Sequence, residues 1–123
     1  MIDQSPYFAA PVRQHLTDNI EAGFTANAIP DYMRDGIRLY LLDGYPAGDF
    51  LRCIIDNDLK GACQAADDRN IRLLPNYVRF FYNCAPLLAW GMRGAMEHYC
   101  TVHADARGAA ARLAITEGAE PHV

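Results

Sequence analysis

Apolar side chains recur along this chain at three- and four-residue steps, the spacing that places them on one side of an α-helix. From Pro11 onward Val12, Leu16 and Ile20 follow at every fourth position, and Gly23 stands where a helix end takes a left-handed residue. A second helix is predicted in "IPDYMRDGIRLYLLDGYP". There Asp31 caps the start, Met33, Ile37 and Leu41 form the stripe, Gly44 ends it and Pro46 prevents its resumption. In "YPAGDFLRCIIDNDLK" a turn at Pro46–Gly48 leads to Asp49 as N-cap of a third helix running to Ala66. Its apolar face collects Leu51, Ile55, Leu59, Ala62 and Ala66.

Two carboxylates on that third helix receive different readings. Asp56 forms an i,i+4 ladder with Arg52 and Lys60 on the solvent side. Asp58 falls about 60° from the centre of the apolar face, beside residues expected to be buried. A carboxylate there must be hydrogen-bonded, paired or functional, because an isolated buried charge is too costly. The expectation is a structural role for Asp58, accepting N–H groups from a neighbouring helix end or pairing with an arginine.

After a break at "DDRN", Pro75 suits the first turn of a helix, "PNYVRFFYNC", that ends before Pro86. Tyr77, Phe80, Phe81 and Tyr82 spread around its circumference, so it is either packed on several sides or presents an aromatic patch to a partner. "PLLAWG" connects it to a last helix with the stripe Met92, Met96, Tyr99, Val102, Ala106, Ala110 and Leu113, and Gly108 as a candidate kink. Residues 1–10 show no period and are expected to form a loose arm, and 117–123 a frayed tail. Alternating β-branched runs are absent. The fold class expected is all-α, a single compact bundle of about five helices forming one domain over residues 1–123.

Composition agrees with a globular chain: 51% of the 123 residues are hydrophobic and 21% charged. A net charge of −4 argues against direct nucleic-acid binding, which needs a basic footprint. With no run of eighteen apolar residues and no basic, apolar leader at the start, the expectation is a cytosolic protein that does not enter a membrane. Cys53, Cys63, Cys84 and Cys100 then read as free thiols.

Catalytic machinery is sparse. Ser5 is the only serine and falls in the predicted arm, which argues against a Ser-His-Asp hydrolase. Neither a phosphate-cradling glycine loop nor a dinucleotide fingerprint occurs, and no C-x-x-C pair exists. His98 and His103 lie about 140° apart on a helix and read as two ordinary surface histidines. Asp56 and Asp58 are about 200° apart and cannot converge on an ion, while Asp67 and Asp68 suit a helix start. No catalytic residue, metal ligand or cofactor is predicted, although a small enzyme using Asp58 stays open as an alternative.

The block "IPDYMRDGIRLYLLDGYPAGDFLRCIIDNDLKGACQAADDRNIRLLPNYVRFFYNCAP", followed by "WG", resembles a family of small phage and prophage proteins. The family's shared order is a Pro-initiated helix ending in Gly, then "PAGDFL", "NDL", an "AD" and Asn break, "YV", "YN" and "AP". The likeness covers residues 29–91; residues 1–28 and the Ala-rich C-terminal helix depart from the pattern. The resemblance implies a phage accessory protein, and the expected role is an anti-CRISPR-like inhibitor blocking a CRISPR–Cas effector or its nuclease. The alternative is a factor binding the phage's own replication or recombination proteins. The partner expected is a host protein with a basic surface, met by Asp56, Asp67 and Asp68 and anchored by Tyr77 or Tyr82. Monomer and homodimer are both compatible with the sequence.

Overall fold

The structure is a computed structural model describing residues 4–119, with side chains placed as far as residue 116. Its order is α1 (Ala10–Ala26), α2 (Asp31–Asp43), α3 (Asp49–Ile55), α4 (Leu59–Ala65), α5 (Asp68–Arg72), α6 (Leu74–Cys84), a 3-10 turn (Leu87–Ala89) and α7 (Ala95–Ala119). Among the described residues there is no strand, so the fold is all-α, with seven helices where the periodicity suggested about five.

One extra helix comes from a stop that periodicity conceals. The predicted helix 49–66 breaks at Asn57, whose φ is +60°. Asn57 N–H donates to the Ile54 carbonyl (3.1 Å) and Asp58 N–H to that of Cys53 (2.7 Å), the Schellman pattern with Asn in its left-handed position. Asp58 then starts α4, its Oδ1 accepting Gly61 N–H at 2.9 Å. Asp58 is therefore exposed and not beside a buried face, because the wheel that placed it there assumed one continuous helix. Its structural role is to cap its own helix, with no neighbouring helix involved. The Arg52–Asp56–Lys60 ladder dissolves for the same reason. Asp56 instead turns inward, and its Oδ1 accepts Met96 N–H at 3.0 Å, satisfying an orphan donor in the first turn of α7.

The second extra helix, α5, occupies the predicted break at "DDRN": Asp67 caps it by accepting Asn70 N–H at 2.7 Å. Two predicted caps move by one residue. Pro30 and Gly48 hold the N-cap positions of α2 and α3, and Asp31 and Asp49 follow in the first turns, favourable there through the positive helix end alone. Gly44 ends α2 as expected, with φ +68°. Gly23 does not end α1. It lies inside the helix because a Cβ there would overlap Cys84 Sγ and press on the Phe80 ring, so this glycine lets α1 and α6 approach.

The core forms around α6. Phe80 stacks on Phe24 of α1 with ring centroids 5.1 Å apart, Phe81 meets Trp90, and Tyr77 meets Phe50 edge-on. Three buried tyrosine hydroxyls find acceptors: Tyr40 on the Ala89 carbonyl (2.6 Å), Tyr77 on Asn70 Oδ1 (2.6 Å) and Tyr99 on the Leu41 carbonyl (2.5 Å). Burial raises the pKa of all three. Tyr77 is completely buried, so it is a core residue and not a partner anchor, whereas Val78 and Tyr82 on the other side of α6 are exposed.

At the C-terminal end of α2 the chain ties itself together. Arg13 donates to the Leu42 carbonyl and forks onto Asp43 (2.8 and 3.2 Å), while Arg107 donates to the Asp43 carbonyl at 2.6 Å. These donors, with Tyr99, satisfy carbonyls that the helix end leaves open. Ser5 N–H donates to Asp43 Oδ1 at 2.7 Å, and Ser5 Oγ meets His103 Nδ1. Residues 4–9 are thus a strap held to the body, not a loose arm, because a buried carboxylate and a buried imidazole both need partners. The first three residues lie outside the described ones.

Helix α7 begins after Met92, which sits exposed in the preceding turn, and runs unbroken through Gly108 to Ala119. Ala95, Met96, Tyr99 and His103 are buried, so His103 is no surface histidine, while His98 is. From Ala109 to Thr116 every side chain is exposed, Leu113 included. Of the predicted tail, residues 117–119 are helical and 120–123 lie outside the described residues. Among the described residues no helix is long and apolar enough to cross a membrane.

Candidate functional site

The corner between α3 and α4 faces the outer side of α6, and the segment after α6 closes the third side. Between them lies a groove of about 770 Å³. Ile54, Ala62 and Trp90 form its deeper parts, and Leu59, Val78, Tyr82, Leu87 and Met92 its rim. The rim residues are large and open: Leu87 is 83% exposed, Tyr82 78% and Leu59 68%. Singly exposed apolar side chains are ordinary, whereas here a contiguous set surrounds one hollow.

Local chemistry holds this shape. The left-handed Asn57 swings α4 away from the line of α3 and exposes Leu59. Pro86 starts the 3-10 turn that carries Leu87 outward. Gly91, at φ +88°, then bends the chain back, and its N–H donates to the Ile55 carbonyl at 2.7 Å, pinning the third wall to the end of α3. Among the described residues Asp58 is the only charged one in the lining. Cys53 also lines it, but burial and the nearby Asp58 raise its thiol pKa, so it contributes a neutral surface and not a nucleophile.

The predicted site residues are not brought together. Tyr82 and Asp58 share the groove. Asp67 and Asp68 lie outside its lining, at the start of α5. Asp67 accepts the Tyr32 hydroxyl at 2.7 Å, and its pKa is lowered first by the Asn70 N–H and then by Tyr32. Arg69 leans over the Tyr32 ring, and Asp68 shares a shallow hollow with Arg69 and Arg72, so this corner shows both signs of charge. Asp56 is occupied at α7, and Asp49 sits beside Tyr32 and Asp67. Leu59, Val78, Leu87 and Met92 are rim residues that sequence reasoning left out; the "DND" stop was the signal that could have exposed Leu59.

A serine, a histidine and an aspartate do meet under the strap, and their arrangement decides their chemistry. Tyr7 N–H donates to Ser5 Oγ (3.3 Å), and Ser5 Oγ is hydrogen-bonded to His103 Nδ1 at 2.6 Å. Asp43 accepts from Ser5 N–H and Arg13 and makes no hydrogen bond to the imidazole. Among the described residues His103 Nε2 is buried without a hydrogen-bond partner, and the ring is enclosed by Tyr7, Phe8 and Tyr99. A proton relay needs the serine on one ring nitrogen and the carboxylate on the other, and this cluster lacks that order. Burial, reinforced by Arg107, pushes the His103 pKa down to about 4, against the opposing pull of Asp43. Among the described residues no group of three or more His, Cys, Asp or Glu is placed to hold a metal ion.

Fold and groove together define a small all-helical protein with an open apolar groove. No family model, curated protein or solved structure matches the chain.

Proposed function

We propose that this protein is a phage-encoded inhibitor that docks on a host defence protein, in the manner of an anti-CRISPR protein acting on a CRISPR–Cas effector or its nuclease. The observation that supports a binding role is the groove: five large apolar side chains stand open around a hollow whose only charged lining residue, among the described residues, is Asp58. The matching ligand is an apolar segment of the partner, entering as anchors in a pocket, with a Lys or Arg beside it to meet Asp58. The phage setting rests on the resemblance over residues 29–91, and every lining residue except Met92 lies inside that block. No residue is assigned a catalytic role.

The test is plaque formation by a phage targeted by an active CRISPR–Cas system, in host cells expressing this protein. Recovery of plaques, lost again with Tyr82→Ala combined with Leu87→Ser, is the expected result. Continued restriction of the phage across the common CRISPR–Cas types overturns the defence-inhibitor role. Recovery that survives the double substitution overturns the groove as its means.

A further inference from the structure

We propose that the strap, residues 4–9, is an acid-released cover: proton uptake by His103 lifts it from the body while the helices stay folded. The strap's fastenings converge on one ring. Ser5 Oγ is hydrogen-bonded to His103 Nδ1, and the Tyr7 and Phe8 rings pack on the same imidazole with centroids 4.7 and 5.6 Å away. Ser5 N–H to Asp43 is the other polar tie to the body among the described residues. Gln4, Pro6 and Ala9 are exposed, and among the described residues no backbone hydrogen bond joins residues 4–8 to a helix.

The ring has no place for a second N–H. A neutral imidazole carries one N–H and an imidazolium two, and among the described residues Nε2 has no hydrogen-bond partner. The charged groups around the ring are Arg13 of α1, Asp43 of α2 and Arg107 of α7, two cations against one carboxylate. Tyr7 and Tyr99 are its titratable neighbours. Burial is the main reason the ring holds a proton weakly; Arg107 and Arg13 act in the same sense, and Asp43 opposes them. Proton uptake therefore favours any arrangement that brings water to Nε2.

The strap is the part that can give way. On other sides the ring meets Tyr99, one turn back on its own helix, and the Gly44 backbone, where a Cβ would overlap the His103 side chain. Moving either disturbs the packing of α2 against α7. Lifting the strap breaks the two bonds of Ser5 and exposes that residue and the half-buried Phe8. A segment with so few ties opens at lower free energy than the helices do. Its release frees two aromatic side chains and uncovers a cleft where Arg13, Asp43, His103 and Arg107 meet.

Amide exchange at Ser5 and Tyr7, followed by NMR and corrected for the intrinsic pH dependence of exchange, tests this on the full chain. The ring pKa is about 4 under the strap and 6.5 when free, so protection should be flat above pH 6.5 and fall below it. Between about pH 7 and about pH 4.5 the loss should be roughly 60-fold. Low urea should not speed this exchange, and amides inside α2 and α6 should stay far better protected at every pH. His103→Gln keeps a hydrogen-bonding partner for Ser5 but does not titrate, so it should abolish the pH response. Equal protection of strap and α6 amides means that the strap leaves only on unfolding, and overturns the proposal. So does a pH response that persists in His103→Gln. In the parent alone, a loss that begins only below about pH 4 belongs to a carboxylate and overturns it as well.

Discussion

Ser5 Oγ lies 2.6 Å from His103 Nδ1, although 98 positions separate the two residues in the chain. This bond carries the strap onto α7, and the burial of the imidazole makes it part of the fold's pH response. The groups facing that ring are Arg13, Asp43, Arg107, Tyr7 and Tyr99. The folded pKa, about 4, lies below the 6.5 of the free side chain, so the unfolded chain takes up the proton first. Stability is therefore complete above about pH 6.5 and falls as the pH drops towards 4. The contribution lost by pH 4.5 is about 2–3 kcal/mol. Urea denaturation of the parent and of His103→Gln at several pH values checks this: the difference between them should shrink on acidification.

Ser5→Ala removes the partner of a buried ring nitrogen and should cost about 1–3 kcal/mol in thermal or urea unfolding. A loose arm would make the same substitution silent, so an unchanged midpoint would restore the arm reading.

At the α3–α4 corner, Asn57→Ala forces a Cβ-bearing residue without a short polar group into the left-handed region and should destabilise by about 1 kcal/mol, whereas Asn57→Gly should be neutral or better. Asp58→Asn should also be near neutral because Asn caps as well as Asp. Asp58→Leu should cost about 1 kcal/mol. Chemical denaturation of the four variants measures both comparisons.

Gly23→Ala places a methyl group against Cys84 Sγ at the α1–α6 crossing and should lower stability by about 1–3 kcal/mol. Cys84→Ala makes room for that methyl, so the double variant should be more stable than the sum of the two single losses predicts. Strict additivity would mean the crossing is not where the cost arises.

For binding, Tyr82→Ala should speed dissociation of a captured partner at a cost of roughly 2 kcal/mol or more, with folding stability unchanged. Asp68→Lys should alter the association rate only slightly, because Arg69 and Arg72 already share its corner. It is the cleaner charge probe, since reversing Asp67 also removes the cap of α5. An Asp68→Lys effect larger than that of Tyr82→Ala, measured by binding kinetics at two salt concentrations, would move the interface to the acidic corner.

What could be read in advance was local. Gly44, Pro75 and the apolar steps of α2 and α6 announce themselves within a few residues, because turn geometry and helical period are short-range properties. The stop at Asn57 escaped because Leu51, Ile55, Leu59 and Ala62 keep helical phase across it. Which of Tyr77 and Tyr82 faces outward was undecidable on a helix with aromatics around most of its surface. The strap was invisible for another reason: Ser5, Asp43 and His103 come from distant parts of the chain, and no periodicity links them. The groove shares that difficulty, being a space between three segments rather than a property of any one.

The corner at Asn57 also has a geometric consequence. A straight helix is a cylinder, convex on every side, and cylinders packed side by side leave only shallow furrows. A hollow deep enough for another molecule's side chain requires one cylinder to end and restart in a new direction beside a third. Here that is achieved by one left-handed residue and the aspartate after it, both of which line the hollow they create. A substitution that let the chain run on helically from Ile55 to Leu59 would therefore leave the composition almost intact and remove the concavity altogether.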